Sequence, residues 1–535
     1  MKNCLKLDKD AVVISLPPLG TKASRKEILA YFDKGWSLTE TLFSGLKNDA
    51  AYYAYAPHKL RHPMIFYYVH AAALYVNKLR VAGLLDDQID GEFERLFESG
   101  VDEMRWDNMH DDKTDWPGVA AARKYRGQVY EAVADIIQNH PLLDKPVNQD
   151  SPMWALFLSF EHERIHLETS SVLMRELPLE FLQRPAGWPE NFPVTATMPV
   201  NEMITLKADR VTLGKPDDFP SFGWDNEYGS EEREVRNFSA GKYLVSNGEF
   251  YEFVKSGGYL KEEYWSREGW AWRSFGNTKF PHFWMAKGPA GLHQYKLRNI
   301  FEEIEMPWSW PAIVNFHEAK AFCTWKNEVT ASEMPYRLLT EGEHNMLRGK
   351  NGGFNFGLAY GSENAVDALP ANSKGFHDVF GNVWQWCEDH FHPLKGFKPH
   401  AYYDDFSVPC YDGEHQMVLG GSFISTGDMT GPYARFHFRP HFFHCEWYYF
   451  AFMVYAGIQH HPVEPGGKLG LRLPARRFVP DFHCSFLRYI FPIHPASGHP
   501  FGETDAEIQI FTNQLAIGGH VPLRDFEHKF VIPVV

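Results

Sequence analysis

The chain has 535 residues, 44% of them hydrophobic, 23% charged and 16% aromatic, with a formal net charge of −15 at pH 7. That is the make-up of a globular protein of two or three domains, each large enough for its own core. The acidic balance argues against a polyanion-binding surface, so nucleic acid is not an expected partner, and no apolar run is long enough for a membrane span.

The opening MKNCLKLDKD has no apolar signal-peptide core, and the six cysteines form no C-x-x-C. A cytoplasmic, reducing location is therefore expected. Ser24-Arg25-Lys26-Glu27 is a capping box. Ile28, Tyr31, Phe32, Leu38, Leu42 and Leu46 extend it into a helical stripe ending near Lys47. Pro63 suits the first turn of a second helix, with Phe66, Val69, His70, Ala73, Leu74 and Asn77 on one face and Gly83 as its stop. A third helix is predicted over about 118–139, with Val119, Tyr125, Val129, Val133, Ile136 and Ile137 as its stripe. The fourth starts at Ser151-Pro152, carries Leu158, His162, Ile165, His166 and Thr169 on one side, and stops at Pro178. Four long helices predict a bundle, and bundle cores commonly hold metals.

From 183 to 200, proline density and lost periodicity mark a linker. Beyond it, Gly, Trp and Asn punctuate short segments without an internal repeat. The fold class expected is α+β multidomain. A helical bundle covers 12–182 and a mixed α/β domain with much irregular structure covers 201–445. An atypical tail over 446–535 follows.

The chemistry centres on SFEHERIHLETSS, which contains H-E-x-x-H at His162-Glu163-Arg164-Ile165-His166. Residues i and i+4 share one helix face, so two imidazoles could chelate one ion. The same letters mark zinc peptidases, whose third ligand lies downstream. The continuation Leu167-Glu168-Thr169-Ser170-Ser171-Val172 has neither the glycine nor the histidine of the longer zincin pattern. Glu176 and Glu180 stay open as third ligands of the shorter pattern. So does His70, mid-helix among apolar neighbours, where an isolated histidine is more often a satisfied core residue. His58 and His62 are weaker candidates and are expected to be exposed. Three neutral imidazoles with open positions opposite would approach the facial triad of non-haem Fe(II) oxygenases.

LRHPMIFYYVHAAALYVNKL, GVDEMRWDNM and FEHERIHLETSSVLMRELP resemble the N-terminal domain of the 5-histidylcysteine sulfoxide synthases of ovothiol biosynthesis. YRLLTEGEHN, FGNVWQWCEDHF and GGSFISTG are similar to the formylglycine-generating-enzyme-like (C-type-lectin-like) fold that these synthases join to a DinB-like four-helix bundle. ARFHFRPHFF, residues 434–443, is typical of the ovothiol branch. The resemblance spans about 12–444. It implies Fe(II) held by His70, His162 and His166. It also implies O2-dependent coupling of L-cysteine sulfur to C5 of L-histidine with oxidation of the sulfur. Glu163 then serves structure rather than catalysis. A tyrosine of the second domain is implied as proton donor. AYYDDFSVPCYDGEHQM offers Tyr402, Tyr403 and Tyr411, and Tyr403 is preferred because YDDFS is closest to the family's text.

Two departures matter. No glycine-rich loop after 445 signals a methyltransferase domain. The closing strand of the second domain is displaced to 470–473 at best. The alternatives are an ergothioneine-type sulfoxide synthase, an H-E-x-x-H zinc peptidase and an inactive binding module. Formylglycine generation is not expected, because Cys323, Cys387 and Cys410 stand apart in sequence.

Overall fold

The helical half is built from amphipathic stripes. The computed structural model describes residues 18–57, 61–98, 114–195, 198–331 and 334–442. His58, the GVDEMRWDNM segment and the 446–535 tail with its displaced strand lie outside the described residues. Helix α1 (Arg25–Phe43) opens on the anticipated capping box: Ser24 Oγ accepts from Glu27 N–H, and Glu27 returns the bond to Ser24 N–H at 2.7 Å. Short α2 (Asp49–Tyr52) leads to α3 (Met64–Val81), which ends in a Schellman turn. Gly83 adopts φ +68, a conformation that penalises side chains, and Leu84 N–H reaches Leu79 O at 2.8 Å. Pro63 is the N-cap rather than a residue of the first turn. After α4 (Gly91–Leu96) come α5 (Val119–Asn139) and α6 (Trp154–Glu176).

Helices α1, α3, α5 and α6 pack on one another as the predicted bundle, with α3 against both α5 and α6. Helix α6 starts later than Ser151-Pro152 suggests. Ser151 Oγ is used by Met153 N–H at 3.2 Å, so the serine closes a preceding turn instead of capping the helix. The burial of α6 is nearly all-round, because a second layer covers its outer face.

Among the described residues the strand ladders of that second layer are short and antiparallel. Strand β1 (Met203–Leu206) pairs with β4 (Phe238–Gly241), and β2 (Asp209–Leu213) with β3 (Glu231–Val235). Strands β5 (Trp284–Ala286), β6 (Tyr295–Arg298) and β7 (Glu303–Glu305) make one three-stranded sheet. Strands β8 (Gln385–His390), β9 (Gln416–Leu419) and β10 (Phe436–Phe438) make another, ordered β10-β9-β8. Helices α7 (Asn247–Lys255), α8 (Arg267–Phe275), α9 (Phe316–Thr330) and α10 (Glu341–Leu347) sit among them. This is the mixed helix-and-sheet composition expected.

Among its described residues the proline-rich stretch over 183–200 has no strand and no long helix, and it is anchored to its neighbours. Trp188 is buried, Gln183 N–H bonds Gly45 O at 2.8 Å and Arg184 pairs with Glu302 at 2.9 Å. Buried polar side chains of α6 tie the two layers together. Glu168 accepts from Trp384 Nε1 at 2.7 Å, from Ser425 Oγ at 2.8 Å and from Ser422 Oγ. Glu161 accepts Asp428 N–H at 2.9 Å. The GGSFISTG motif thus clasps α6. Gly427, at φ +65, lets the loop come so close that a Cβ there would strike Tyr31, Glu161 and Arg164. Among the described residues no helix is long and apolar enough to cross a membrane. Cys323, Cys387 and Cys410 are buried and outside disulfides.

Candidate metal centre

Helices α3 and α6 are neighbours, and their facing histidines meet. A ligand atom from each of His70, His162 and His166 lies within 4.8 Å of the others. His162 Nε2 and His166 Nε2 are 3.2 Å apart. Two imidazoles bound at about 2.1 Å to one ion, roughly at right angles to tetrahedral, have nitrogens about 2.9–3.4 Å apart. The pair therefore has the spacing of two ligands of one metal. His70 Nδ1 meets the Phe97 backbone oxygen at 2.6 Å, which fixes the tautomer and leaves Nε2 as the available donor. Its ring also stacks on Phe66 at 5.0 Å, so its orientation is set by packing.

Burial drives His162 and His166 well below the ordinary imidazole range, and the neighbouring histidines add to it. Lys78 bears on His162 in the same sense and Arg61 on His166. Neutral rings are what a cation needs. The group contains three imidazoles and no carboxylate. Such a donor set fits a divalent transition metal.

The other candidates lie elsewhere. Glu176 forms a 2.8 Å pair with His282 Nε2, and Glu180 belongs to the short 3-10 turn Leu179–Phe181. His62 is buried, not exposed, with its ring 4.3 Å from Phe66. The apolar start of α3 and Trp116 cover it, and sequence position alone does not show that cover. Glu163 turns into the bundle, accepting from Tyr75 at 2.9 Å and lying 3.5 Å from Arg126. Both partners belong to neighbouring helices of the bundle.

The long loop from 391 to 415, between β8 and β9, brings Tyr403 to the cluster. Its ring centre is 6.1 Å from that of His162, and Lys78 Nζ stands 3.9 Å above its face. Trp224 and Phe406 flank it, at 6.4 and 5.3 Å. Tyr402 turns to His400 instead, 5.3 Å between rings. Tyr411 packs on Phe391 and Phe397, and burial pushes its hydroxyl far above the usual range. Of the three tyrosines, Tyr403 is the one described beside the histidines.

Lys78 and Arg61 were not anticipated from the sequence. Lys78 is eight residues after His70, within the same helical stripe, so periodicity held a signal for it. Arg61 gives none. It is 1% exposed and its guanidinium lies 5.2 Å from the Phe442 ring, at the end of the ARFHFRPHFF segment.

Residues 189–355 and 344–447 match the sulfatase-modifying factor enzyme 1-like domain. Hercynine oxygenase of Mycolicibacterium smegmatis is 27% identical over 339 residues, covering 59% of this chain and 73% of that protein. Ergothioneine biosynthesis protein 1 of Schizosaccharomyces pombe is 22% identical over 428 residues, 71% of this chain and 50% of that protein. The mouse formylglycine-generating enzyme is 26% identical over 219 residues, 36% of this chain and 58% of its own length.

Proposed function

We propose that the protein is an Fe(II)-dependent sulfoxide synthase joining L-cysteine to L-histidine with O2. The three-histidine cluster of α3 and α6 beside Tyr403 is the observation that supports this reading most. His70, His162 and His166 would hold the iron, which supplies open coordination positions and the redox chemistry of dioxygen when bound. The overall reaction balances. The thiol and the imidazole C5 each give up one hydrogen, a C–S bond forms, one oxygen atom goes to sulfur and the other leaves as water.

The chain's own residues then divide the work. Lys78 and Arg61 supply positive charge for the carboxylates of the two amino acids, holding them near the cluster. The rings of Trp224 and Phe406 exclude water and fix the Tyr403 ring. The Tyr403 hydroxyl donates a proton as oxygen is reduced. The DinB-like identity of the bundle and a cytoplasmic location belong to the same reading.

The test is aerobic incubation of the iron-loaded protein with cysteine and either histidine or hercynine, with products read by mass spectrometry. A C–S-linked sulfoxide of histidine is expected, with O2 consumed. A product with hercynine alone would favour the second reading, an ergothioneine-type enzyme, which the named relatives support. Peptide cleavage by zinc-loaded protein, without either sulfoxide, would overturn both.

Tyr403→Phe removes one oxygen atom and keeps the ring on which Lys78 rests. Iron content should hold while C–S coupling slows by roughly 100-fold or more. The sulfur then takes both oxygen atoms, so cysteine sulfinate should rise relative to sulfoxide. An unchanged product ratio would move the role away from Tyr403.

A further inference from the structure

A second ligand cluster lies on the mixed domain. Cys410, His415 and His437 bring one ligand atom each within 4.8 Å of one another. None of them belongs to the histidine cluster of the bundle. Cys410 ends the 3-10 turn Val408–Cys410, His415 immediately precedes β9, and His437 is the middle residue of β10. Cys410 and His415 are both buried.

The surroundings are arranged as around a metal ligand. His415 Nδ1 is 3.0 Å from Asp412 Oδ1, and the same oxygen takes the backbone N–H of Glu414 and His415. Asp412 thereby engages Nδ1 of His415, which leaves Nε2 as the ring atom for an ion, the carboxylate–histidine arrangement that accompanies bound metals. Arg439 steadies the same turn, 2.8 Å from Glu414 and 3.5 Å from Asp412. Phe391 stacks on His437 at 4.2 Å and holds that ring in place.

We infer that Cys410, His415 and His437 form a structural zinc site. One thiolate and two imidazoles suit a borderline-soft d10 ion, and a fourth tetrahedral position is left for water. Binding converts the Cys410 thiol to thiolate and releases its proton to solvent. The ion would staple the end of the 391–415 loop to β10. That loop is 25 residues long, counted from after His390 to before Gln416, and it carries Tyr403. Loops of more than about 15 residues are uncommon and are usually functional.

The test uses the full chain. The His162→Ala, His166→Ala double variant should still retain about one equivalent of zinc after dialysis. Cobalt added to the chelated form of that variant should give a thiolate-to-cobalt charge-transfer band. Cys410→Ser and, separately, His437→Gln should each weaken zinc retention by roughly 10–100-fold or more, with Cys410→Ser abolishing the band. Chelation should also speed proteolysis within 391–415. A missing band in the Cys410-containing protein, or a band that persists in Cys410→Ser, would overturn the site. A band without any change in proteolysis would overturn the staple. All these readouts are independent of the sulfoxide synthase activity.

Discussion

Replacing His70 with alanine is expected to strip the protein of iron and end turnover, although His70 is on a different helix from the H-E-x-x-H pair. The ring is buried, stacked on Phe66, and bonded to the Phe97 backbone, so its Nε2 has one direction available. Without it, two imidazoles 3.2 Å apart remain. Two such ligands hold Fe(II) weakly, and the loss in affinity should be about 100-fold or more, since even outer partners of ligands cost 10–100-fold. Iron content by elemental analysis, an Fe(II) titration and sulfoxide yield are the measurements, with circular dichroism as the check on folding. His62→Ala serves as the control, because that neighbouring buried histidine is outside the cluster. Full iron and full activity in His70→Ala would sink the three-histidine centre. His162→Ala and His166→Ala should behave as His70→Ala does.

The largest loss of stability is expected from Arg175→Met. Arg175 is fully buried near the end of α6, donating to Arg298 O at 2.5 Å and to Glu363 at 2.8 Å, with Phe283 against its guanidinium at 4.3 Å. Burial, with Arg298 adding to it and Glu363 opposing it, leaves the Arg175 pKa lowered to about 9, and burial raises the Glu363 carboxyl against the pull of Arg175. Desolvation therefore outweighs the attraction, and the pair itself adds little. Removing one partner is different, because Glu363 is then left buried with its countercharge gone. The cost should be about 3–5 kcal/mol, seen as a fall in the thermal midpoint. Arg175→Met with Glu363→Leu should recover most of it, since an apolar pair of similar volume avoids the desolvation. An unchanged midpoint in Arg175→Met would show that the ion pair does not hold the layers together.

The helical half was readable because its signals are local. The Ser24 capping box, the α5 stripe and the Gly83 stop each depend on residues a few positions apart, and each is found where the pattern places it. The apolar stripe of α6 was readable too, but its burial on all sides was not. Glu161, Glu168 and Arg175 look like a solvated face in the sequence, yet each finds its partner more than 120 positions away. Nothing within a helical turn could announce Trp384 or Glu363.

The candidate site divides in the same way. The spacing of His162 and His166 is enough to put two rings on one face of a helix. That their partner is His70 rather than Glu176 depends on α3 and α6 packing side by side, and on His282 having taken Glu176. Tyr403 is preferred over Tyr402 and Tyr411 on the YDDFS resemblance, but that its ring stands beside His162 depends on the path of a loop with no periodicity to read. Sequence by itself determined the helices, the paired histidines and the aromatic-rich, turn-broken second half, because hydrophobic period and capping chemistry act over one or two turns. Only the tertiary structure decided which side chains meet across α3, α6 and the 391–415 loop, because those contacts arise from packing between segments that the chain order keeps far apart.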